Sequence, residues 1–136
     1  MYISLDAPNE EIYKKVCRPS VKDGWKRLMK TLSLLKELKT RTCIRITSVK
    51  GLNMIYPEKY AELIKKSSPK FVEVKAYMFV GYSRQRLNIK NMPLHNEVKE
   101  FAEKIAKGSG YKIIDEKKES RVVLLIKEDK DRIIKL

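Results

Sequence analysis

The chain has 136 residues, of which 31 are Lys or Arg and 17 are Asp or Glu, giving a formal net charge of +14. That length supports one domain with a real core, and 43% hydrophobic with 35% charged residues argues against a disordered chain. Its apolar runs fall far short of the ~20 residues a bilayer-spanning helix needs, and no secretory leader opens it, so a cytoplasmic location and no membrane partner are expected.

The first segment to read as a strand is Tyr2–Asp6. A short helical pattern follows from Pro8 to Val16, with Pro8 at the first helical position. A longer one, Lys22–Lys39, sets Trp25, Leu28, Met29, Leu32 and Leu35 on one stripe, and Lys22, Lys26, Arg27, Lys30 and Lys36 on the other face. Thr42–Val49 reads as the second strand. Pro57 opens a third helix, with Tyr60, Leu63 and Ile64 facing inward, and Phe71–Met78 is the third strand. Pro93 opens a fourth helix with Leu94, Val98, Phe101, Ala102 and Ile105 as its stripe, stopped by Gly108-Ser109-Gly110. Two short strands, Tyr111–Asp115 and Arg121–Ile126, flank a charged turn, and the tail Lys127–Leu136 is expected to fray.

Strands alternating with helices point to βαβ units, a mostly parallel sheet and an α/β fold. The strands are two-faced, however, where a doubly wound sheet is apolar on both sides. Ile3 and Leu5 oppose Ser4 and Asp6; Ile44 and Ile46 oppose Arg45 and Thr47; Val72, Val74 and Ala76 oppose Glu73, Lys75 and Tyr77. If helices cover the apolar side, the polar sides converge, and half-buried charges persist only when paired or engaged by a ligand. Two readings remain open at this point: a structural salt-bridge network, or the polar concave face of a partial barrel with a site inside.

The charge excess favours a polyanionic partner, since phosphate backbones repay bound cations by counterion release. The competing account is a charge-dense solubilising surface, whose signs usually balance. The loop Val80–Lys90 interleaves Tyr82 with Arg84, Arg86 and Lys90, a pattern that serves either unpaired RNA or a solvated surface. Cys17 and Cys43 are isolated and no His stands at ligand spacing, so a metal site from this chain alone is not expected; His95, the single histidine, reads as a surface or capping residue. No hydrolase elbow, Cys/His pair or phosphate-cradling glycine loop is present. Lys75 can form a Schiff base if desolvated, but beside Glu73 it reads more simply as an ion-paired ammonium.

The stretch Phe71-Val72-Glu73-Val74-Lys75-Ala76-Tyr77-Met78-Phe79-Val80-Gly81-Tyr82-Ser83 resembles the Glu-x-Lys-x-Tyr-Met-x-Val-Gly-Tyr-Ser segment of archaeal 4-demethylwyosine synthases, radical-SAM enzymes of tRNA wybutosine biosynthesis. Tyr2-Ile3-Ser4-Leu5-Asp6-Ala7, Arg18-Pro19, Arg41-Thr42-Cys43-Ile44-Arg45, Lys50-Gly51, His95 and Ser120-Arg121-Val122 agree in order, so the resemblance spans nearly the whole chain. It implies the C-terminal part of an incomplete six-stranded (β/α) barrel over residues 1–126, helices on one face, and a charged tail at 127–136. It also implies an enzyme that condenses N1-methylguanosine beside the tRNA anticodon with a two-carbon unit from pyruvate, using S-adenosylmethionine and an iron–sulfur cluster.

What the resemblance carries over falls into three groups of residues. Ser4, Asp6, Arg45 and Thr47 would border the cofactor, Glu73, Lys75 and Tyr77 would serve as catalytic residues beside pyruvate or the guanine, and Arg18, Lys50, Tyr82, Ser83, Arg84 and Arg86 would face the anticodon loop. The sequence departs from the family in lacking its Cys-x-x-x-Cys-x-x-Cys cluster motif, its second cysteine set and the Gly-Glu segment at the methionine end of the cofactor. The expectation is a half-barrel that is inactive alone and needs a missing N-terminal half or self-association. A stand-alone basic RNA-binding module is the alternative.

Overall fold

The computed structural model describes residues 2–17, 23–38, 41–78 and 89–127. Strand β1 is Tyr2–Ser4 and helix α1 is Glu10–Cys17. Pro8 precedes α1 instead of opening it, because Asn9 takes the cap: its Oδ1 accepts the Ile12 N–H at 2.9 Å, satisfying one of the donors a helix start leaves free. Helix α2 is Gly24–Leu34, continued by a 3₁₀ turn at Leu35–Glu37, and so is shorter than the expected Lys22–Lys39. Strand β2 is Cys43–Ser48, α3 is Pro57–Ser67 and β3 is Phe71–Ala76. After a 3₁₀ turn at Ile89–Asn91 come α4, His95–Ser109, and strands β4, Lys112–Lys117, and β5, Val122–Ile126.

Helix α4 starts two residues after Pro93. Leu94 is extended (φ −77°, ψ 159°), and its N–H donates to Glu97 Oε1 at 2.9 Å, so a glutamate three residues on closes the helix start. The helix stops at Gly110, whose φ of 82° suits glycine alone without strain.

The sheet order is β1-β2-β3-β5-β4. Strands β1, β2 and β3 run parallel, as the alternation with helices required. Strand β5 is antiparallel to β3, and β4 is antiparallel to β5, so the sheet is mixed rather than mostly parallel. Only the turn at 118–121 joins β4 to β5, too short for the crossover a parallel pair needs. A register irregularity between Ile113 and Asp115 marks the outer strand β4, where it interrupts a regular pairing edge.

Helices cover one face. Ile44, Ile46, Val72, Val74, Val123 and Leu125 are fully buried there, in one cluster with Leu32, Leu35, Tyr60, Ile64, Val98, Phe101, Ala102 and Ile105. Tyr60 and Phe101 meet edge to face at 5.5 Å, joining α3 to α4. The two helices approach closely at Gly108, where an added Cβ would lie 2.9 Å from the Ala61 Cβ. Among the described residues no helix is long and apolar enough to cross a membrane. The tail beyond Lys127 lies outside the described residues.

Candidate functional site

The other face of the sheet carries the residues the sequence reading selected. Register aligns Ser4, Arg45 and Glu73 across the three parallel strands, and the row continues into Leu124 of β5 and Asp115 of β4. The next row is Thr47, Lys75, Val122 and Lys117. Alternation along each strand turns these side chains away from the helices. Arg45, Glu73, Thr47 and Lys75 are each half-buried.

Within the first row, Arg45 Nε lies 3.3 Å from Glu73 Oε1, and the guanidinium sits 4.4 Å from the centroid of the Tyr2 ring. The expected pairing of Lys75 with Glu73 does not form. In-register neighbours on adjacent strands are closer than residues two apart on one strand, so Arg45 takes the carboxylate. No ion pair of Lys75 occurs among the described residues, which leaves a half-buried ammonium on this face.

One end of the face is apolar. Cys43, Phe71 and Ile126 pack together with Ile114 and Leu124, closing the sheet at the ends where the parallel strands begin. Burial, with the Glu73 charge adding to it, pushes the Cys43 thiol up to about 11, so it is a packing group rather than a ligand or nucleophile. The Cys17 side chain lies outside the described residues.

The opposite end, where β1, β2 and β3 finish, holds the polar groups. Asp6 follows β1 and accepts the Thr47 N–H on Oδ1 at 2.9 Å. Burial raises the Asp6 carboxyl above its ordinary range, against the Thr47 N–H and the Arg45 charge, which both favour the anion. Tyr77, just past β3, donates its backbone N–H to the Ser48 carbonyl at 2.8 Å. Tyr77 is 6% exposed, and among the described residues its hydroxyl has no hydrogen-bond partner. Ser48 Oγ is likewise buried and without a partner among the described residues.

Lys50, expected to face RNA, lies in the loop after β2 and reaches back to α4, with Nζ 2.9 Å from Glu97 Oε2. The bond from the Leu94 N–H, with Lys50 second, lowers the Glu97 carboxyl. The loop is tied a second time where the Lys50 N–H donates to the Asn91 carbonyl and Asn91 Nδ2 donates to the Lys50 carbonyl, at 2.8 and 2.9 Å. His95, read as a surface or capping residue, is the first residue of α4, and its side chain is largely enclosed, with Nε2 3.8 Å from Glu116 Oε1. Arg18, Tyr82, Ser83, Arg84 and Arg86 lie outside the described residues.

Sequence reasoning gave no role to Asn53, which is fully buried and whose side chain is hydrogen-bonded to three other residues at the crevice between β1 and β2.

Residues 66–127 match the family described as wyosine base formation. Over 132 residues, 96% of its length, the chain is 54% identical to the S-adenosyl-L-methionine-dependent tRNA 4-demethylwyosine synthase of Pyrococcus abyssi and spans 39% of it. It is 41% identical over 130 residues to the synthase of the same description from Methanocaldococcus jannaschii, covering 96% of this chain and 41% of that one. A solved structure of TYW1 with a lysine-pyruvate adduct bound superposes with a TM-score of 0.84 at 39% identity, covering 94% of this chain and 40% of the other. The crystal structure of archaeal TYW1 superposes at 0.74 with 35% identity, covering 94% and 39%. The chain thus spans about two-fifths of the length of these relatives.

Proposed function

We propose, for a chain related over nearly its whole length to the tRNA 4-demethylwyosine synthases, that it supplies one wall of the cavity in which such an enzyme joins a two-carbon unit from pyruvate to N1-methylguanosine beside the tRNA anticodon. The observation that carries this reading is the convergence of Asp6, Arg45, Thr47, Glu73, Lys75 and Tyr77 on the uncovered face of three parallel strands and their outgoing ends. In α/β architectures ligands collect where parallel strands finish. The same face is the concave wall of a partial (β/α) barrel, with residues 1–126 as its domain and 127–136 as an appended charged tail.

The residues present fit the adenosyl part of the cofactor and the keto acid. Asp6 has one carboxylate oxygen held by Thr47 and no other side-chain hydrogen bond among the described residues, which suits hydroxyl or amine donors. Lys75 has no ion pair among the described residues, and its side chain would lie beside the keto acid. Tyr77 donates to a substrate oxygen, and Glu73, held in place by Arg45, borders the guanine. When bound, S-adenosylmethionine with an iron–sulfur cluster would supply the radical chemistry, and Asp6, Arg45 and Thr47 would border the cofactor. No group of His, Cys, Asp or Glu among the described residues can hold a metal ion, and Cys43 is buried, so we assign these residues no part in holding the cluster. Their contribution is to bind, orient and keep water from an extruded base.

Arg18, Lys50, Tyr82, Ser83, Arg84 and Arg86 form the RNA-facing set. Binding of the chain to tRNA, followed by filter retention across a salt series, tests the division of labour. Affinity should fall steeply as salt rises. Joint replacement of Arg84 and Arg86 by Gln should weaken binding to all tRNAs, and Glu73→Gln or Lys75→Met should leave it unchanged. Equal losses from both sets would end this reading. The chain alone, given methylated tRNA, pyruvate, cofactor and reductant, should form no product.

A further inference from the structure

We infer that Asn53 is a positioning residue of this site, clasping the outgoing ends of β1 and β2 so that Asp6 presents a fixed carboxylate oxygen to a ligand. The inference rests on the reading of the strand-end crevice as a ligand site.

The pairing of β1 with β2 runs out at this point. Ser4 is the last residue in register, opposite Arg45, and the ladder closes with the Leu5 N–H donating to the Arg45 carbonyl at 2.9 Å. Beyond it, both backbones carry carbonyls with no strand partner, at Asp6 and at Thr47. Asn53 Nδ2 donates to both, at 3.0 and 2.8 Å, using its two hydrogens. Asn53 Oδ1 accepts the Val49 N–H at 2.7 Å, and its own backbone carbonyl accepts the Tyr60 hydroxyl at 2.9 Å.

Only an amide fills this set. It needs two donors and an acceptor on one short side chain; aspartate lacks the donors and leucine lacks both. Asn53 is fully buried and its side-chain donors are all used, so it touches no ligand itself. Its effect passes through Asp6 and Thr47. With both carbonyls held, the Thr47 N–H meets Asp6 Oδ1 at 2.9 Å and fixes the carboxylate rotamer. The second oxygen of Asp6 is then aimed by the backbone rather than by solvent, the preorganisation a binding site requires.

The test uses the isotope-labelled full chain, with Asn53→Ala and the milder Asn53→Ser, which keeps one donor. Thr47 amide exchange should accelerate by about tenfold or more relative to Ile44 and Val72, whose protection should hold. The Asp6 carboxyl titration should move from its raised position, whereas Tyr60→Phe, which spares the side-chain clasp, should leave it in place. Adenosine, used as the probe, should shift the Asp6 and Thr47 amides of the wild-type chain and bind about tenfold more weakly to either Asn53 variant. Unchanged Thr47 exchange and Asp6 titration in a folded Asn53 variant would overturn the clasp. An absence of adenosine shifts in the wild-type chain would instead overturn the ligand reading on which it rests, so the two failures are told apart.

Discussion

Arg45 and Glu73 stand opposite each other on adjacent parallel strands with Nε 3.3 Å from Oε1, and Tyr2 covers the guanidinium from the edge strand. The arrangement binds β1, β2 and β3 together on the face that no helix supports. Arg45 is 37% and Glu73 17% exposed, so solvent screening limits what the pair contributes. A double-mutant cycle with Arg45→Met and Glu73→Gln, followed by urea unfolding, should give a coupling of about 0.5–1 kcal/mol. Arg45→Met alone should cost more than Glu73→Gln alone, because it strands the less exposed carboxylate. A coupling of zero would show that the two groups are held apart in solution.

Cys43 should resist alkylation. Its thiol, raised from 9.0 to about 11, holds about a hundredfold less thiolate at neutral pH than an ordinary cysteine, and the side chain is buried as well. Iodoacetamide followed by mass spectrometry should leave Cys43 unmodified in the folded chain and label it fully in denaturant. Rapid labelling under native conditions would mean the apolar end of the open face is not packed as described.

Acid stability should reflect two opposing kinds of carboxyl. Glu97 and Glu116 are lowered, by the Leu94 N–H and by Lys99 respectively, so their contribution is present above the usual 4.5 and is lost as pH falls through the lowered values. Asp6 is raised, so its contribution is complete below 3.8 and is lost as pH rises through the raised value. Asp6→Asn removes only the second effect. The stability of the wild-type chain relative to this variant, from thermal unfolding, should decline as pH rises from below 3.8 through the raised value and then level off. A difference that grows with pH would contradict the burial of Asp6.

The helix-covered face should dominate stability. Ile105→Ala empties a fully buried position on α4 and should cost about 2–5 kcal/mol in urea unfolding. Leu94→Ala, at a position 56% exposed, should stay within about 0.5 kcal/mol of wild type. Similar costs at the two sites would misplace the core.

Strands β2 and β3 were legible because each alternates an apolar position with a charged or hydroxyl one, as in Ile44, Arg45, Ile46 and Thr47, and such alternation survives any detail of packing. The helix stripes were legible for the same reason, whereas their ends were not. Pro8 and Pro93 marked the neighbourhood of helix starts, but Asn9 and Glu97 set the first turns through bonds that depend on local geometry. The antiparallel placement of β5 between β3 and β4 was hidden because no local pattern states which strand a hairpin will join. Glu73 was assigned to Lys75 because they are near in sequence, while the pairing with Arg45 depends on the register of separate strands. Asn53 escaped for a related reason: its partners Asp6 and Thr47 lie 47 and 6 residues away, and nothing short of the folded crevice brings them together.

The reversed hairpin has a consequence for how the cleft is bounded. Because β5 runs against β3, the turn at 118–121 arrives beside the outgoing end of β3, where the Ala76 N–H donates to the Arg121 carbonyl and Arg121 Nη1 donates to the Pro93 carbonyl ahead of α4. The hairpin tip and the loops that follow the parallel strands therefore share one shoreline. Lengthening or shortening that tip would reshape this edge of the polar face and, through Arg121, would also bear on the approach to α4.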